Sequence, residues 1–128
     1  MLPSTTRDDV LSLYQAGPNE TVAFENESVS LTALAAMVAA LANTDGGFVF
    51  VGIDPQTRNV RGLRDIETAR NKALEAGLKC EPPLVLPRPD LAVIDGKEIL
   101  LLQVPAGLPH AYGLRGKYVQ RVGKKNVA

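Results

Sequence analysis

The chain has 128 residues and no net charge, with 45% hydrophobic and 22% charged residues, which fits a globular domain and excludes a disordered or fibrous protein. One cysteine, Cys80, and one histidine, His110, exclude an internal disulfide framework and argue against a dedicated zinc centre. The longest strongly apolar stretch, residues 31–42, is shorter than the ~20 residues of a membrane span, and the N-terminus carries acids where a signal peptide carries bases, so we expect a soluble, cytoplasmic protein with no membrane partner.

Helices and strands alternate in the first half of the chain. The hydrophobic pattern predicts a helix over 6–16, a strand over 21–24, a helix over 31–42 and a strand over 48–53. Thr6 can cap the first helix, and Ser28 or Ser30 the second. The polar segment 43–47 ends the second helix, and the apolar run after it is typical of a buried strand.

The second half predicts one more amphipathic helix and a β-hairpin. Asp65 caps the helix, which runs to about Ala76, and Gly77 ends it in the left-handed conformation. Further strands are predicted over 91–94, 98–104 and 118–122. Asp95-Gly96 is a strong turn signal between the first two, and the second is apolar on both faces, which places it centrally. The order, an N-terminal helix, then β-α-β-α-β-β, then a strand, indicates a mixed α/β (α+β) class.

The charges are balanced overall but not along the chain. Residues 1–54 hold seven acids and one base, whereas five bases and no acid follow Glu98. These bases are Arg115, Lys117, Arg121, Lys124 and Lys125. They predict weak, phosphate-mediated nucleic-acid binding, unless they form a solvated tail that only offsets the acidic half. Alternation puts Arg121 on the face opposite Gln120 and Val122, which suits either a phosphate contact or a structural ion pair.

Several other side chains have both a structural and a functional interpretation. Asp54 follows a buried strand and precedes a proline, so it forms a turn or binds a ligand. A buried, unreactive thiol is favoured for Cys80, because the sequence pairs it with no histidine. His110 is expected in a loop. Tyr112 and Tyr118 can stack on unpaired bases or pack half-buried.

A run in the middle of the chain carries a family resemblance. Residues 39–54, AALANTDGGFVFVGID, resemble the "AFANTDGG…lliGvdD" core of the Schlafen-type Alba-like domains, which are described as DNA-binding. Residues 60–63 match the family's "v.Gl", and residues 116–123 look like its "gkyyvRvGs" strand. The resemblance covers roughly 17–125 and implies an Alba-like βαβαββ fold for a single domain over 1–128.

The resemblance also implies a function. The family is usually described as binding DNA or RNA, and its bacterial members as transcription regulators or relatives of RecG-type helicases. Those longer proteins continue past the last matched strand, so the chain is expected to be a stand-alone domain or the N-terminal module of a longer protein. The family motif is formed here by Asn43, Asp45, Gly46, Gly47 and Asp54. We expect it to be structural, with at least one of the two glycines at positive φ.

The sequence departs from the family at the residues that would bind metal. Nuclease relatives resemble "GExxxvEFK", whose two glutamates join a downstream aspartate. Pro18 and Ala23 stand at the glutamate positions, Glu25 replaces the lysine, and Asp54 alone remains. One aspartate cannot hold a divalent ion and orient water, so we expect no cofactor and no catalytic residues. Glu25 shares a strand face with Ala23 but lies roughly 6–7 Å further along, which makes it an awkward substitute.

Three functions stay open. The first is a non-catalytic, regulatory nucleic-acid-binding module, and the second is a metal-dependent nuclease of the Schlafen type. The third is a protein-interaction or dimerisation domain that has lost nucleic-acid binding. A homodimer is among the partners that the sequence allows. An exposed cluster of bases favours the first, three adjacent carboxylates favour the second, and a large exposed apolar patch favours the third.

Overall fold

The three helices and the first four strands follow the order that the sequence predicts. The computed structural model describes residues 7–106, 111–114 and 117–127. Its elements are α1 (Arg7–Ala16), β1 (Val22–Glu25), α2 (Leu31–Ala42), β2 (Gly47–Val51), α3 (Ile66–Leu78), β3 (Asp90–Ile94), β4 (Lys97–Val104), β5 (Gly113–Leu114), β6 (Lys117–Tyr118), β7 (Gln120–Val122) and β8 (Lys125–Val127). The predicted β-α-β-α-β-β series is confirmed from β1 to β4, and the class is mixed α/β.

The first four strands form one mixed sheet in the order β1-β2-β4-β3. β1 pairs parallel with β2, and β4 pairs antiparallel with both β2 and β3. The strand that is apolar on both faces, β4, therefore lies inside the sheet, as predicted. The later strands make two short hairpins, β5–β6 and β7–β8.

The sheet buries apolar side chains on both faces. Helices α2 and α3 cover one face, where Leu34 packs in the same cluster as Leu100. Helix α1 covers the other face through Val10, beside Phe24 and Phe50, whose rings meet edge to face with centroids 5.4 Å apart. In the described part of the chain, no helix has the length and hydropathy to span a membrane.

The local signals for helix starts and for the hairpin act as predicted. Ser30 caps α2 and Asp65 caps α3, each by accepting a hydrogen bond from a backbone N–H in the first turn. Asp95 and Gly96 have φ of 52° and 74°, which is the conformation of a type I′ turn between β3 and β4. The predicted cap of α1, Thr6, lies outside the described residues.

Two boundary predictions are wrong. Gly77 does not end α3, because it lies inside the helix, which continues to Leu78. A Cβ at Gly77 would collide with the carbonyl oxygen of Leu84, so this glycine allows the next segment to approach the helix. The strand predicted over 118–122 is interrupted at Val119, whose carbonyl accepts a hydrogen bond from the Asn43 side chain at the end of α2. The sequence did not predict β8.

Candidate nucleic-acid interface

The basic end of the chain folds into β7, β8 and their turn, called here the C-terminal hairpin (residues 120–127). The paired residues are Gln120 and Val127, Arg121 and Asn126, and Val122 and Lys125. Gly123, with φ of 57°, and Lys124 form the turn. Lys124 and Lys125 are both exposed, so two of the predicted phosphate contacts lie together at the tip.

One face of the C-terminal hairpin is exposed and continues an alternation that begins in β6. Tyr118, Gln120 and Val122 are exposed, whereas the residues between them point inwards. The Tyr118 side chain is 61% exposed. Lys125 pairs with Val122 across the hairpin, so its side chain lies on the same exposed face as Val122.

The inner face of the hairpin is held by Arg121, which is only 4% exposed. Its Nε donates to the carbonyl of Asn19 at 3.2 Å, its Nη2 to the carbonyl of Val22 at 3.2 Å, and its Nη1 to Oδ1 of Asn126 at 3.1 Å. The Val22 carbonyl lies on the side of β1 that faces away from β2. Of the two roles that the sequence leaves open for Arg121, these contacts are those of the structural role, because the guanidinium binds β1 to the hairpin.

Glu25, at the end of β1, is the acid that interacts with this guanidinium. Burial raises the pKa of Glu25, and the positive charge of Arg121 lowers it in part. Burial likewise lowers the pKa of Arg121, and Glu25 opposes that shift. Glu25 is therefore an electrostatic partner of a buried cation, which leaves it poorly suited to hold a metal ion.

The end of α2 anchors the C-terminal segment through Asn43. The Asn43 Nδ2 donates to the carbonyls of Tyr112 at 2.6 Å and Val119 at 2.8 Å, and its Oδ1 accepts from the Tyr112 N–H at 2.6 Å. The hydroxyl of the next residue, Thr44, accepts from the Arg121 N–H at 3.0 Å. Through these bonds, Asn43 and Thr44 join the end of α2 to the C-terminal segment.

The two motif glycines are required by the turn that leads into β2. Gly46 and Gly47 have φ of 68° and 141°, which confirms the predicted positive φ. A Cβ on Gly46 would lie 2.6 Å from the Val104 carbonyl oxygen, and one on Gly47 would overlap the Thr21 carbonyl oxygen. Asp45, between them and α2, is exposed. The motif therefore allows β1, β2 and β4 to approach closely at this end of the sheet.

Asp54, at the other end of β2, forms a turn. Its Oδ1 accepts hydrogen bonds from the N–H groups of Gln56 at 2.9 Å and Thr57 at 3.0 Å. These bonds lower the pKa of Asp54, with the Thr57 N–H contributing most. The Nε of Arg61 lies 3.7 Å from its other oxygen. The carboxylate is therefore already used by the backbone.

Asp54 also borders a cleft of about 800 Å³. The lining residues are Asn26, Glu27, Ser28, Asp54, Arg61, Gly62, Leu63 and Arg64. The Glu27 carboxylate accepts from the N–H groups of Arg64 at 2.9 and 3.0 Å and of Asp65 at 2.9 Å, so it orders the start of α3. Both acids of the cleft are bonded to backbone, while the Arg61 and Arg64 side chains are exposed.

Neither residue at the two expected glutamate positions has a side chain that could bind a metal ion. Ala23 is buried in the core under α2, and Pro18 lies in the loop before β1. Among the residues that the structure describes, no three His, Cys, Asp or Glu side chains come close enough to hold a metal ion.

The remaining candidates differ in accessibility. Cys80 is buried, as predicted, and its thiol lies 3.6 Å from the Ala76 carbonyl oxygen. Of the two tyrosines that the sequence suggests for stacking, Tyr112 is buried and Tyr118 is exposed. Lys117 begins β6, while Arg115 and His110 lie outside the described residues.

The sequence interpretation missed the strand β8 and its residue Asn126, which supports Arg121. The local signal for this hairpin is Gly123-Lys124, a dipeptide of the Gly-X type that favours a two-residue turn. It also missed Arg61 and Arg64, since nothing local indicates that they border a cleft.

These features define an Alba-like α/β domain of the βαβαββ type. A comparison with protein families matches residues 19–128 to the family described as Schlafen, AlbA_2, and the chain belongs to that family. The resemblance indicated by the motifs is thereby confirmed. No curated protein matches the chain.

Two solved structures resemble this fold. The DIP2311 protein from Corynebacterium diphtheriae matches with a TM-score of 0.67 and 21% identity, over 91% of this chain and 25% of that one. The N-terminal domain of a RecG-related helicase protein from Nitrosomonas europaea matches with a TM-score of 0.64 and 22% identity, over 97% of this chain and 92% of that domain. The chain spans a quarter of the DIP2311 protein, and at these identities both likenesses concern the fold alone.

Proposed function

We propose that this chain is a non-catalytic nucleic-acid-binding module with a regulatory role, which contacts DNA or RNA through the C-terminal hairpin. Membership of the Schlafen, AlbA_2 family supports a nucleic-acid-related domain. The observation that carries the proposal is the exposure of Lys124 and Lys125 at the hairpin tip, together with the exposed Tyr118 two residues before the hairpin.

The chemistry of these side chains sets the kind of binding. Lysine amines meet phosphates without reading the bases, so the binding is weak and tolerant of sequence. An exposed tyrosine can stack on an unpaired base, which is worth about 1–3 kcal/mol per base and favours single strands. Arg115 and Lys117 belong to the proposed surface by sequence, whereas Arg121 positions the hairpin from below.

The test is binding of labelled single- and double-stranded DNA and RNA across a series of salt concentrations. If two to four cations meet phosphates on a single strand, log K should fall against log salt with a slope of roughly −1.4 to −2.8. Lys124→Ala should reduce the slope and Lys125→Ala should do the same. Lys79→Ala, which removes one charge at the end of α3, is the matched control and should leave binding unchanged.

Tyr118 gives a second, independent measurement. Tyr118→Ala should weaken single-strand binding about 5- to 100-fold and double-strand binding much less, whereas Tyr118→Phe should keep the stacking. The proposal fails if the folded protein binds no nucleic acid at low salt. It fails equally if binding ignores both salt and the lysine substitutions.

The nuclease alternative is separated by a cleavage assay. With Pro18 and Ala23 at the glutamate positions, labelled RNA and single-stranded DNA should survive incubation with Mg²⁺ or Mn²⁺. Reproducible cleavage that is lost in Asp54→Ala would establish a catalytic function in place of simple binding.

A further inference from the structure

The outer edge of β3 is open in the part of the chain that the structure describes. β3 is the last strand of the sheet and pairs there with β4 alone. Because the two-residue turn joins Ile94 to Lys97, the Ile94 and Ala92 backbone groups bond β4. The N–H and C=O groups of Leu91 and Val93 therefore point away from the sheet.

The two residues whose backbone groups face outwards on this edge are apolar, and the strand lacks the lysine, proline and bulge that often keep edge strands apart. Leu91 and Val93 are 42% and 54% exposed, and both lie on the face of the sheet that carries α2 and α3. The strand Asp90–Ile94 contains no lysine and no proline, and its register with β4 runs without a bulge. Such an edge is a template for another strand.

We propose that the occupant of this edge is the β3 strand of a second copy of this chain, paired antiparallel about a two-fold axis at Ala92. Leu91 of each copy then stands opposite Val93 of the other. Each such pair exchanges both of its N–H···O=C bonds, so the outward groups of both residues are satisfied. The result is one continuous sheet across two chains with an isologous interface.

The hydrogen-bond pattern selects this register. A two-fold axis at Leu91 would place Val93 opposite Pro89, which has no N–H to donate. An axis at Val93 would place Leu91 opposite Asp95, which is in the turn with φ of 52° and is not extended. In a register shifted by one residue, the outward N–H and C=O groups of one copy would face residues of the other copy whose N–H and C=O groups already bond β4.

The side chains also fit a second copy. The facing Leu91 and Val93 side chains bury each other on one face of the sheet, and Ala92 is small enough to meet itself on the other face. Asp90 faces Ile94 of the second copy, so the acids do not oppose each other. The exposed Arg88 comes opposite the turn of the second copy that holds Asp95, which pairs a cation with an acid.

The interface is narrow, so we expect association that depends on protein concentration. It is also independent of the proposed nucleic-acid contact, because β3 lies at the opposite end of the sheet from β1, which the C-terminal hairpin covers. The measurements below use protein free of nucleic acid, so failure of one proposal leaves the other standing.

The first test is sedimentation velocity over a hundredfold range of concentration. Val93→Lys should weaken dimerisation at least tenfold. Val122→Lys is the matched control, because Val122 is the same residue type, is 55% exposed and lies on β7. Val93→Pro should weaken dimerisation as strongly while leaving the β3–β4 ladder intact, since only an outward N–H is removed.

The second test reads the register by oxidation. Ala92→Cys should form a disulfide-linked dimer, because its Cβ atoms would lie about 4.5–5.5 Å apart across the axis. Asp90→Cys should not, because the two cysteines would lie roughly 13 Å or more apart. A wild-type protein that stays monomeric throughout, dimerisation unaffected by both Val93 variants, or equal cross-linking of both cysteine variants would each overturn the proposal.

Discussion

Asn43 should carry a measurable part of the stability, because its side chain joins the end of α2 to the C-terminal segment. Asn43→Ala removes three hydrogen bonds, which link it to Tyr112 and Val119. At about 1 kcal/mol net for each bond, the free energy of unfolding should fall by about 3 kcal/mol. That is a large share of the ~5–15 kcal/mol of a typical domain and corresponds to a drop in Tm of about 10 °C.

Denaturant unfolding measures this loss, and hydrogen exchange shows where it acts. Asn43→Asp keeps the acceptor but replaces the donor with a carboxylate that faces two carbonyls, so it should be at least as destabilising as Asn43→Ala. The amides of residues 120–127 should exchange faster in both variants. Asn59→Ala, at an exposed asparagine in the turn after β2, is the control. A change below about 0.5 kcal/mol for Asn43→Ala, which is within the range of ordinary surface substitutions, would refute the anchoring role.

Three further outcomes follow from the packing. Gly47→Ala and Gly46→Ala should each lower Tm more than Gly96→Ala, because a Cβ at Gly96 meets no atom within 4 Å and adds only backbone strain. Burial raises the pKa of Cys80 to about 11, so the thiol should react with a thiol reagent only on unfolding. Burial raises the pKa of Glu25 above its ordinary 4.5. Between 4.5 and the raised pKa, the folded protein keeps a proton that the unfolded chain has lost. Stability should therefore fall as pH rises through that window, and Glu25→Gln should flatten the fall in denaturant titrations.

Elements with strong local signals could be predicted from the sequence, because those signals act within a few residues. The caps Ser30 and Asp65 and the Asp95-Gly96 turn need only their own neighbours to form. Gly77 misled the prediction because a glycine near a helix end usually marks its stop, whereas here Leu84 comes against the helix from a later segment. That contact depends on tertiary packing and leaves no local pattern.

The candidate site could be predicted in composition but not in geometry. Counting charges identified the basic end, and Lys124 and Lys125 are exposed there. The same count cannot distinguish Arg121, whose burial depends on carbonyls of Asn19 and Val22 about a hundred residues earlier in the chain. Arg121, which the charge count grouped with the exposed bases, therefore belongs to the contacts that hold the hairpin on β1.

The residues that hold this fold and those that would perform metal chemistry are different residues, which explains how the family's fold persists without its acidic set. The Asn43 side chain bonds the carbonyls of Tyr112 and Val119, while Gly46 and Gly47 leave room for backbone carbonyls that a Cβ would meet. Replacing a glutamate with Ala23 puts an apolar side chain where a carboxylate would need a partner in a buried cluster. Ala23 therefore needs no polar partner at this position, while the loss of Asn43 would release the C-terminal segment from the end of α2. Under the proposed function, the exposed Lys124 and Lys125 would bind a phosphate backbone, and that binding needs none of the acidic side chains.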